Sequence, residues 1–492
     1  MNIIFDESHV ADSRVYAIYE GDEPPFRLPD SRKRSGSLTW LYARSRDEAD
    51  YLIAGMGSRE QLTVEKVRKA AASVARALLK EHKTSAVLIR KPLDTGSEKT
   101  KLTEAEEFQA WMEGWLYGLY RFNKHRGITA TEATIKLHIR SKDWEGIPRE
   151  ELDTLLSIAA IRERGTRLAR DLVNESPETL NPEAFAAVLE EHFKNTKAKL
   201  HVYRGHELHE RQMNGLLAVG KGSRFEPSLV EISYDGLPAG QKGPHVVLIG
   251  KGITFDMGGM NVKTGRDISD ARMDMGGAAA VAGAMEILIS RKAPVKVTAL
   301  IAVADNLPDQ HAMLPSSVIH YPNGISVQVA NTDGEGRLII ADALLHAATL
   351  QADQVIDIAT LTGNVGAALG LELAGIWGDE AMTRHLVEIG ERNGERLWPM
   401  PLVDEYESEL RSDYADLRNV GTSTLAGAIT AALFVRHFVP ESMKWVHIDM
   451  AGTVQYKREF PHAAAGATGY GARLLADYVE KQFHKKPASG KG

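Results

Sequence analysis

The sequence predicts an α/β protein, with a smaller N-terminal α/β domain joined by one helix to a larger C-terminal α/β domain built on a central, mostly parallel sheet. Three observations carry this prediction. Short apolar runs alternate with helical stretches along both halves of the chain, a helical apolar pattern persists over residues 151–174, and Ser176-Pro-Glu-Thr-Leu-Asn-Pro182 then breaks it. Residues 1–150 supply strand-like Val15 to Tyr19, Ser85 to Ile89 and Ile135 to Ile139, with helical Leu62 to Lys80 and Glu104 to Tyr120 between them. Residues 151–174 carry Leu152, Leu155, Ile158, Ile161, Leu168 and Leu172 at helical spacing, long enough for one connecting helix. The larger domain spans residues 175–484. Helical Glu183 to Lys194 leads into Leu200 to Tyr203, His245 to Ile249, Val295 to Ala304, Ser326 to Val329 and Gln354 to Ile358, spaced by helical segments in the rhythm of a parallel sheet covered on both faces. The tail, residues 485–492, is expected to be solvated and disordered. There is no internal repeat.

The composition narrows the function classes. At 492 residues, 43% hydrophobic and 25% charged, the balance is that of a globular protein with a large core. The formal net charge of −7 argues against nucleic acid as the main partner, because phosphate-backbone affinity comes from clustered Lys and Arg. With no cysteine, disulfides, thiolate zinc sites and cysteine nucleophiles are excluded, so any metal is held by oxygen and nitrogen. The start, Met1-Asn-Ile-Ile-Phe-Asp-Glu, lacks the features of a secretory signal. Residues 276–289 carry Glu286, and residues 355–378 carry Asp357, Asn364 and Glu372, so neither tract is expected to span a membrane. A cytoplasmic enzyme is the expectation.

Two stretches concentrate charge among glycines: residues 251–274, which hold Lys251, Asp256, Lys263 and Asp274, and residues 331–337, which hold Asp333, Glu335 and Arg337. Four carboxylates interleaved with three cations are not an ordinary core, because buried charge must be paired or bound to metal. In a parallel sheet, ligands gather at the carboxyl ends of strands, and these residues follow the runs His245 to Ile249 and Ser326 to Val329. A lone Asp-Gly-Glu reads as a turn with two solvated acids. Here, with Asp256 before Gly258-Gly259 and Asp274 before Gly276-Gly277, Asp333 and Glu335 in an extended segment would project to one side and share a pair of cations. The donor set suits Mn²⁺, Mg²⁺ or Zn²⁺ in a two-metal hydrolase site, with Lys251 ligating only as the neutral amine. Asp267 and Asp270 read as a solvated acidic face. Neither Gly220-Lys221-Gly222-Ser223 nor Gly250-Lys251-Gly252 has phosphate-loop spacing, and there is no Gly-x-Ser-x-Gly elbow.

These residues carry a resemblance. Asn331-Thr-Asp-Gly-Glu-Gly-Arg-Leu338 is similar to the Asn-Thr-Asp-Ala-Glu-Gly-Arg-Leu signature of the leucyl (cytosol) aminopeptidases. It is supported by Arg170-Asp-Leu-Val-Asn174, Asp357-Ile-Ala-Thr-Leu-Thr-Gly363, Ala415-Asp-Leu-Arg-Asn419, His447-Ile-Asp-Met-Ala-Gly452 and Gly466-Ala-Thr-Gly469. The resemblance implies a catalytic domain that removes the first residue from peptides with a free N-terminus. It implies two divalent metals, Mn²⁺ or Zn²⁺, on Lys251, Asp256, Asp274, Asp333 and Glu335, with Asp256 and Glu335 bridging. Lys263 and Arg337 are the implied catalytic cations, Arg337 carrying a bicarbonate base. Ala271, Met273, Thr360 and Leu361 are implied in the substrate pocket, and a homohexamer is the implied assembly. Gly334 replaces the usual alanine, which is expected to loosen the backbone. Met257 replaces Ser or Thr, Ala271 replaces a pocket methionine, and the loop after Asn306 differs. Two rival readings are a non-enzymatic DNA-binding role and a carboxylate-metal phosphohydrolase.

Overall fold

The computed structural model describes residues 3–6, 11–45, 47–90, 101–128, 134–265 and 267–484; the expectation for the tail, residues 485–492, lies outside them. The chain divides into two compact units. The first is Met1–Glu163 with Lys457–Ala465, and the second is Arg164–Tyr456 with Gly466–Gly492.

In the first unit, β1 (Ile3–Phe5), β2 (Ser13–Tyr19), β3 (Leu38–Leu41), β4 (Asp50–Gly57), β5 (Ser85–Arg90) and β6 (Lys136–Ile139) form a sheet in the order β1-β6-β5-β2-β4-β3. It is parallel except for the edge strand β3. Helices α1 (Val64–Lys80) and α2 (Glu104–Gly118) begin where the hydroxyls of Thr63 and Thr103 accept backbone N–H groups, and Glu106 completes a capping box on Thr103. Val67, Ala71, Val74 and Leu78 of α1 share one core with Phe108, Trp111 and Trp115 of α2. Helix α3 (Arg149–Asn174) runs through the division between the units.

The second unit continues with α4 (Pro182–Phe193), β7 (Lys199–Arg204), α5 (His206–Glu210), α6 (Asn214–Gly220), β8 (Ser228–Asp235), β9 (His245–Asp256), α7 (Gly276–Ser290) and β10 (Lys296–Asn306). Then come β11 (Val318–His320), β12 (Ser326–Gln328), α8 (Glu335–Thr349), β13 (Gln354–Ala359), α9 (Gly363–Leu369), β14 (Ala374–Gly378), α10 (Glu380–Asn393) and β15 (Leu397–Pro399). It closes with β16 (Leu417–Arg418), α11 (Gly427–Arg436), β17 (Lys444–Asp449), β18 (Gln455–Tyr456), β19 (Gly466–Ala467) and α12 (Ala472–His484). The main sheet has the order β15-β14-β17-β13-β9-β10-β8-β7. Its centre, β17-β13-β9-β10, is parallel, while β14 and β8 pair antiparallel with it on either side.

Two sequence expectations change here, and for a third the reason changes. The run His245 to Ile249 extends as β9 through Asp256, so Lys251 and Asp256 lie on the strand rather than after it. Ser326 to Val329 becomes β12, which belongs to a small sheet with β11 and β16 rather than to the main one. A short polar-flanked run cannot reveal its pairing partner. Finally, the helical run Ser269–Ser290 is long and apolar enough by composition to cross a membrane despite Glu286, but 83% of its apolar window is buried inside the protein. Burial in the core, not Glu286, accounts for this helix: Gly276 through Ile289 are all buried.

Candidate functional site

The cluster begins with Lys251, which stands on the central strand β9 with 2% of its surface exposed. Its ammonium meets Asp274 Oδ2 at 2.7 Å and Glu335 Oε1 at 2.8 Å, and donates to the carbonyl of Thr360 at 3.0 Å. Burial alone would lower its pKa, but the charges of Asp274, Glu335 and Asp256 outweigh burial and hold it above the ordinary lysine value. Asp274 comes from the 3-10 helix Ser269–Met275 that precedes α7, and its Oδ1 accepts the Thr360 hydroxyl at 2.8 Å. Its pKa lies well above the usual carboxylate range, chiefly through burial and also through the like charges of Asp256 and Glu335.

A second group forms at the end of β9. β9 and β10 pair in parallel until the register shifts between Ala304 and Asn306, after which Asn306 pairs with Asp256. A bulge of this kind re-aims a side chain. Here the Asn306 amide donates to Asp256 Oδ1 at 2.9 Å, to the Thr332 carbonyl at 3.0 Å and to Glu335 Oε2 at 3.4 Å. Lys263 pairs with Asp256 and, at 3.0 Å, with Asp333 Oδ1. Its pKa is also raised, because Asp256 and the other carboxylates outweigh burial. Asp333 is pushed up by burial and by the charges of Asp256 and Glu335.

Asp333 and Glu335 do not share an extended segment. Asp333 lies in a turn and Glu335 is the first residue of α8. The carboxylates still converge: oxygens of Asp256, Asp333 and Glu335 lie within 4.8 Å of one another. At Gly334 a Cβ would sit 2.6 Å from Val420 Cγ2 and 2.8 Å from Asn419 Nδ2. The missing side chain lets Asn419 close on this turn, where its amide donates to Asn331 O at 2.7 Å. Arg337, two residues after Glu335 on α8, is 6% exposed and donates from Nη1 to Asn419 O at 2.7 Å; burial pushes its pKa down to about 10. Its Nε is buried with no hydrogen-bond partner among the described residues.

Ala271 and Met273 are half-buried on the same 3-10 helix as Asp274. Thr360 faces Asp274 and Lys251, and the N–H of Leu361 is bound by Asp449 at 3.1 Å. Asn306 and Asp449 escaped the sequence reading. Asn306 owes its role to a bulge, and Asp449 carried only its place in His447-Ile-Asp-Met-Ala-Gly452. The donor set fits divalent cations. Four carboxylates face three cationic side chains, so the site has a surplus of negative charge and oxygens already close enough to share an ion.

Comparison with known proteins agrees with this arrangement. Residues 167–476 match the cytosol aminopeptidase family catalytic domain, and residues 33–127 match the N-terminal domain of the same family. The probable cytosol aminopeptidase of Geobacter sp. (strain M21) is 34% identical over 462 residues, covering 93% of this chain and 91% of that protein. The one from Chlorobaculum tepidum is 36% identical over 462 residues, covering 92% and 90%. Among solved structures, the bottromycin maturation enzyme BotP in complex with Mn superposes with a TM-score of 0.84 at 30% identity, over 96% of this chain and 99% of that one. With both domains matched and the carboxylate cluster inside the catalytic match, this chain belongs to the cytosol aminopeptidase family.

Proposed function

We propose that this protein is a two-metal aminopeptidase that hydrolyses the first peptide bond of substrates with a free N-terminus. Family membership supports the coarser reading, a metal-dependent aminopeptidase. The observation that carries the finer one is the convergence of Asp256, Asp333 and Glu335 beside the Lys251–Asp274 pair. In this reading Lys251, Asp256, Asp274, Asp333 and Glu335 hold two divalent cations, which when bound acidify a water and polarise the scissile carbonyl. Manganese is favoured by the Mn complex of the similar structure, with zinc as the other candidate. Lys263, which pairs with Asp256 and Asp333, is the group we assign to steadying a developing oxyanion. Arg337, buried with an unengaged Nε, is the group we assign to a bicarbonate that takes the proton. Ala271, Met273, Thr360 and Leu361 form the proposed first-residue pocket. A homohexamer in the cytoplasm is the proposed setting, the compartment resting on the relatives' name.

The test is turnover of aminoacyl amides, against phosphate esters, by protein reconstituted with Mn²⁺ or Zn²⁺. Aminoacyl amides should be cleaved, and a chelator should abolish the activity. Glu335→Gln should lose turnover together with at least one metal equivalent, because a ligand is removed. Phosphate-ester hydrolysis in place of amide hydrolysis, or wild-type turnover in Glu335→Gln with both metals retained, would overturn the assignment.

A further inference from the structure

Asp449 is a carboxylate outside the proposed ligand set, at the end of β17, with none of its surface exposed. β17 and β13 are parallel neighbours, and Asp449 pairs with Ala359, the last residue of β13. The chain leaving β13 therefore turns directly over this side chain. Asp449 Oδ1 accepts the N–H of Leu361 at 3.1 Å and of Ala451 at 3.2 Å, and Oδ2 accepts the N–H of Thr362 at 3.0 Å and its hydroxyl at 2.6 Å. Three of these four donors belong to the turn 360–362 and immobilise it, because hydrogen bonds to an ionised acceptor are the strong ones.

The other side of this turn faces the cluster. The Thr360 carbonyl takes a hydrogen bond from Lys251 Nζ at 3.0 Å, and its hydroxyl donates to Asp274 Oδ1 at 2.8 Å. Asp256 and Asp333 are held from a different direction, by Asn306 and Lys263. We propose that Asp449 is a positioning residue that fixes Lys251 and Asp274 through the turn 360–362, and so sets the affinity of the metal site to which those two residues contribute more than that of the Asp256–Asp333 side, with which it shares Glu335. The proposal rests on the reading of these residues as metal ligands. Asparagine at 449 keeps the volume but offers one acceptor oxygen and turns an NH₂ toward the donors of the turn.

Calorimetric titration of the metal-free full chain with Mn²⁺ tests this. Wild type should show two binding steps. Asp449→Asn should weaken one step about ten- to a hundredfold, the range for losing an outer partner of a ligand, and leave the other within roughly threefold. The reference variant is Glu395→Gln, another buried carboxylate of this unit, which takes Leu474 N at 2.7 Å and Arg473 Nε at 3.1 Å. It should lower the unfolding midpoint and move neither step. If Asp449→Asn does not fold, Thr362→Val, which removes the hydroxyl donor to Asp449 together with its cap on Val365 N of α9 but keeps the Thr362 N–H, should weaken the same step by roughly three- to tenfold. Two intact steps in the folded variant, or equal weakening of both, would overturn the role of Asp449 alone. A wild type that binds no Mn²⁺ would overturn the ligand reading itself, and this proposal with it.

Discussion

Ala271 precedes Asp274 by three residues in a 3-10 helix, a geometry in which side chains at i and i+3 eclipse one another. Whatever fills position 271 therefore stands over the side of the helix that presents Asp274. An alanine there leaves the proposed pocket roomier than a methionine would, and each methylene of fit is worth about 1 to 3 kcal/mol of discrimination. Wild type should accept Phe and Trp amides better than typical members of the family do, and Ala271→Met should shift catalytic efficiency back toward Leu and Ala amides by about tenfold or more. An unchanged ranking of the four substrates would remove Ala271 from the pocket wall. At this scale the charged residues were legible in the sequence, since acids and lysines among glycines have few structural explanations. Asn306 was not, because its amide reaches Asp256 and Glu335 only after the bulge. Without cations, the three acidic neighbours of Lys251 favour its ammonium; bound cations would favour the neutral amine that ligates.

Helix α7 begins directly against β13. A Cβ on Gly277 would lie 2.0 Å from the Ile358 carbonyl oxygen, so glycine is required for the first turn to approach the strand. Gly277→Ala has backbone rather than a flexible side chain to displace, and should cost about 1 to 3 kcal/mol or more, as overpacking a dense core does. A urea midpoint within error of wild type would show that the helix can shift without cost. The strands and helices themselves were readable from apolar periodicity, as β2, β5, β7, α1 and α4 show. What periodicity lacks is knowledge of partners. It ended β9 at Ile249 because Gly250, Lys251 and Gly252 break the apolar run, whereas strand continuity there comes from pairing with β10 through Ala304. It also gave Asp333 and Glu335 an extended backbone, where the chain instead makes a turn and starts α8.

For the molecule as a whole, the first unit draws its last segment, Lys457–Ala465, from far along the chain. Glu459 in that segment pairs with Arg76 at 2.5 Å and Lys80 at 2.8 Å on α1. His462 has its pKa pushed down to about 4, by burial first and then by the charges of Lys69 and Arg76, with Glu65 opposing. An unfolded histidine titrates near 6.5, so the contribution of His462 to stability is fully present above that value. As pH falls from about 6.5 to 4, the unfolded chain takes up a proton that the folded one refuses, and stability is lost. His462→Gln should flatten the acid limb of the melting temperature against pH between those values; an unaltered slope would assign the acid sensitivity elsewhere. No local pattern in residues 457–465 announces membership of a unit begun at the other end of the sequence, which is why the division was not legible there. The same interleaving bears on synthesis. A ribosome that has released Glu163 must still add about 290 residues before Lys457 appears, which at roughly 5 to 20 residues per second is on the order of 15 to 60 s. Throughout that interval the nascent first unit lacks a piece of itself, and its completion waits for nearly all of the second unit to emerge.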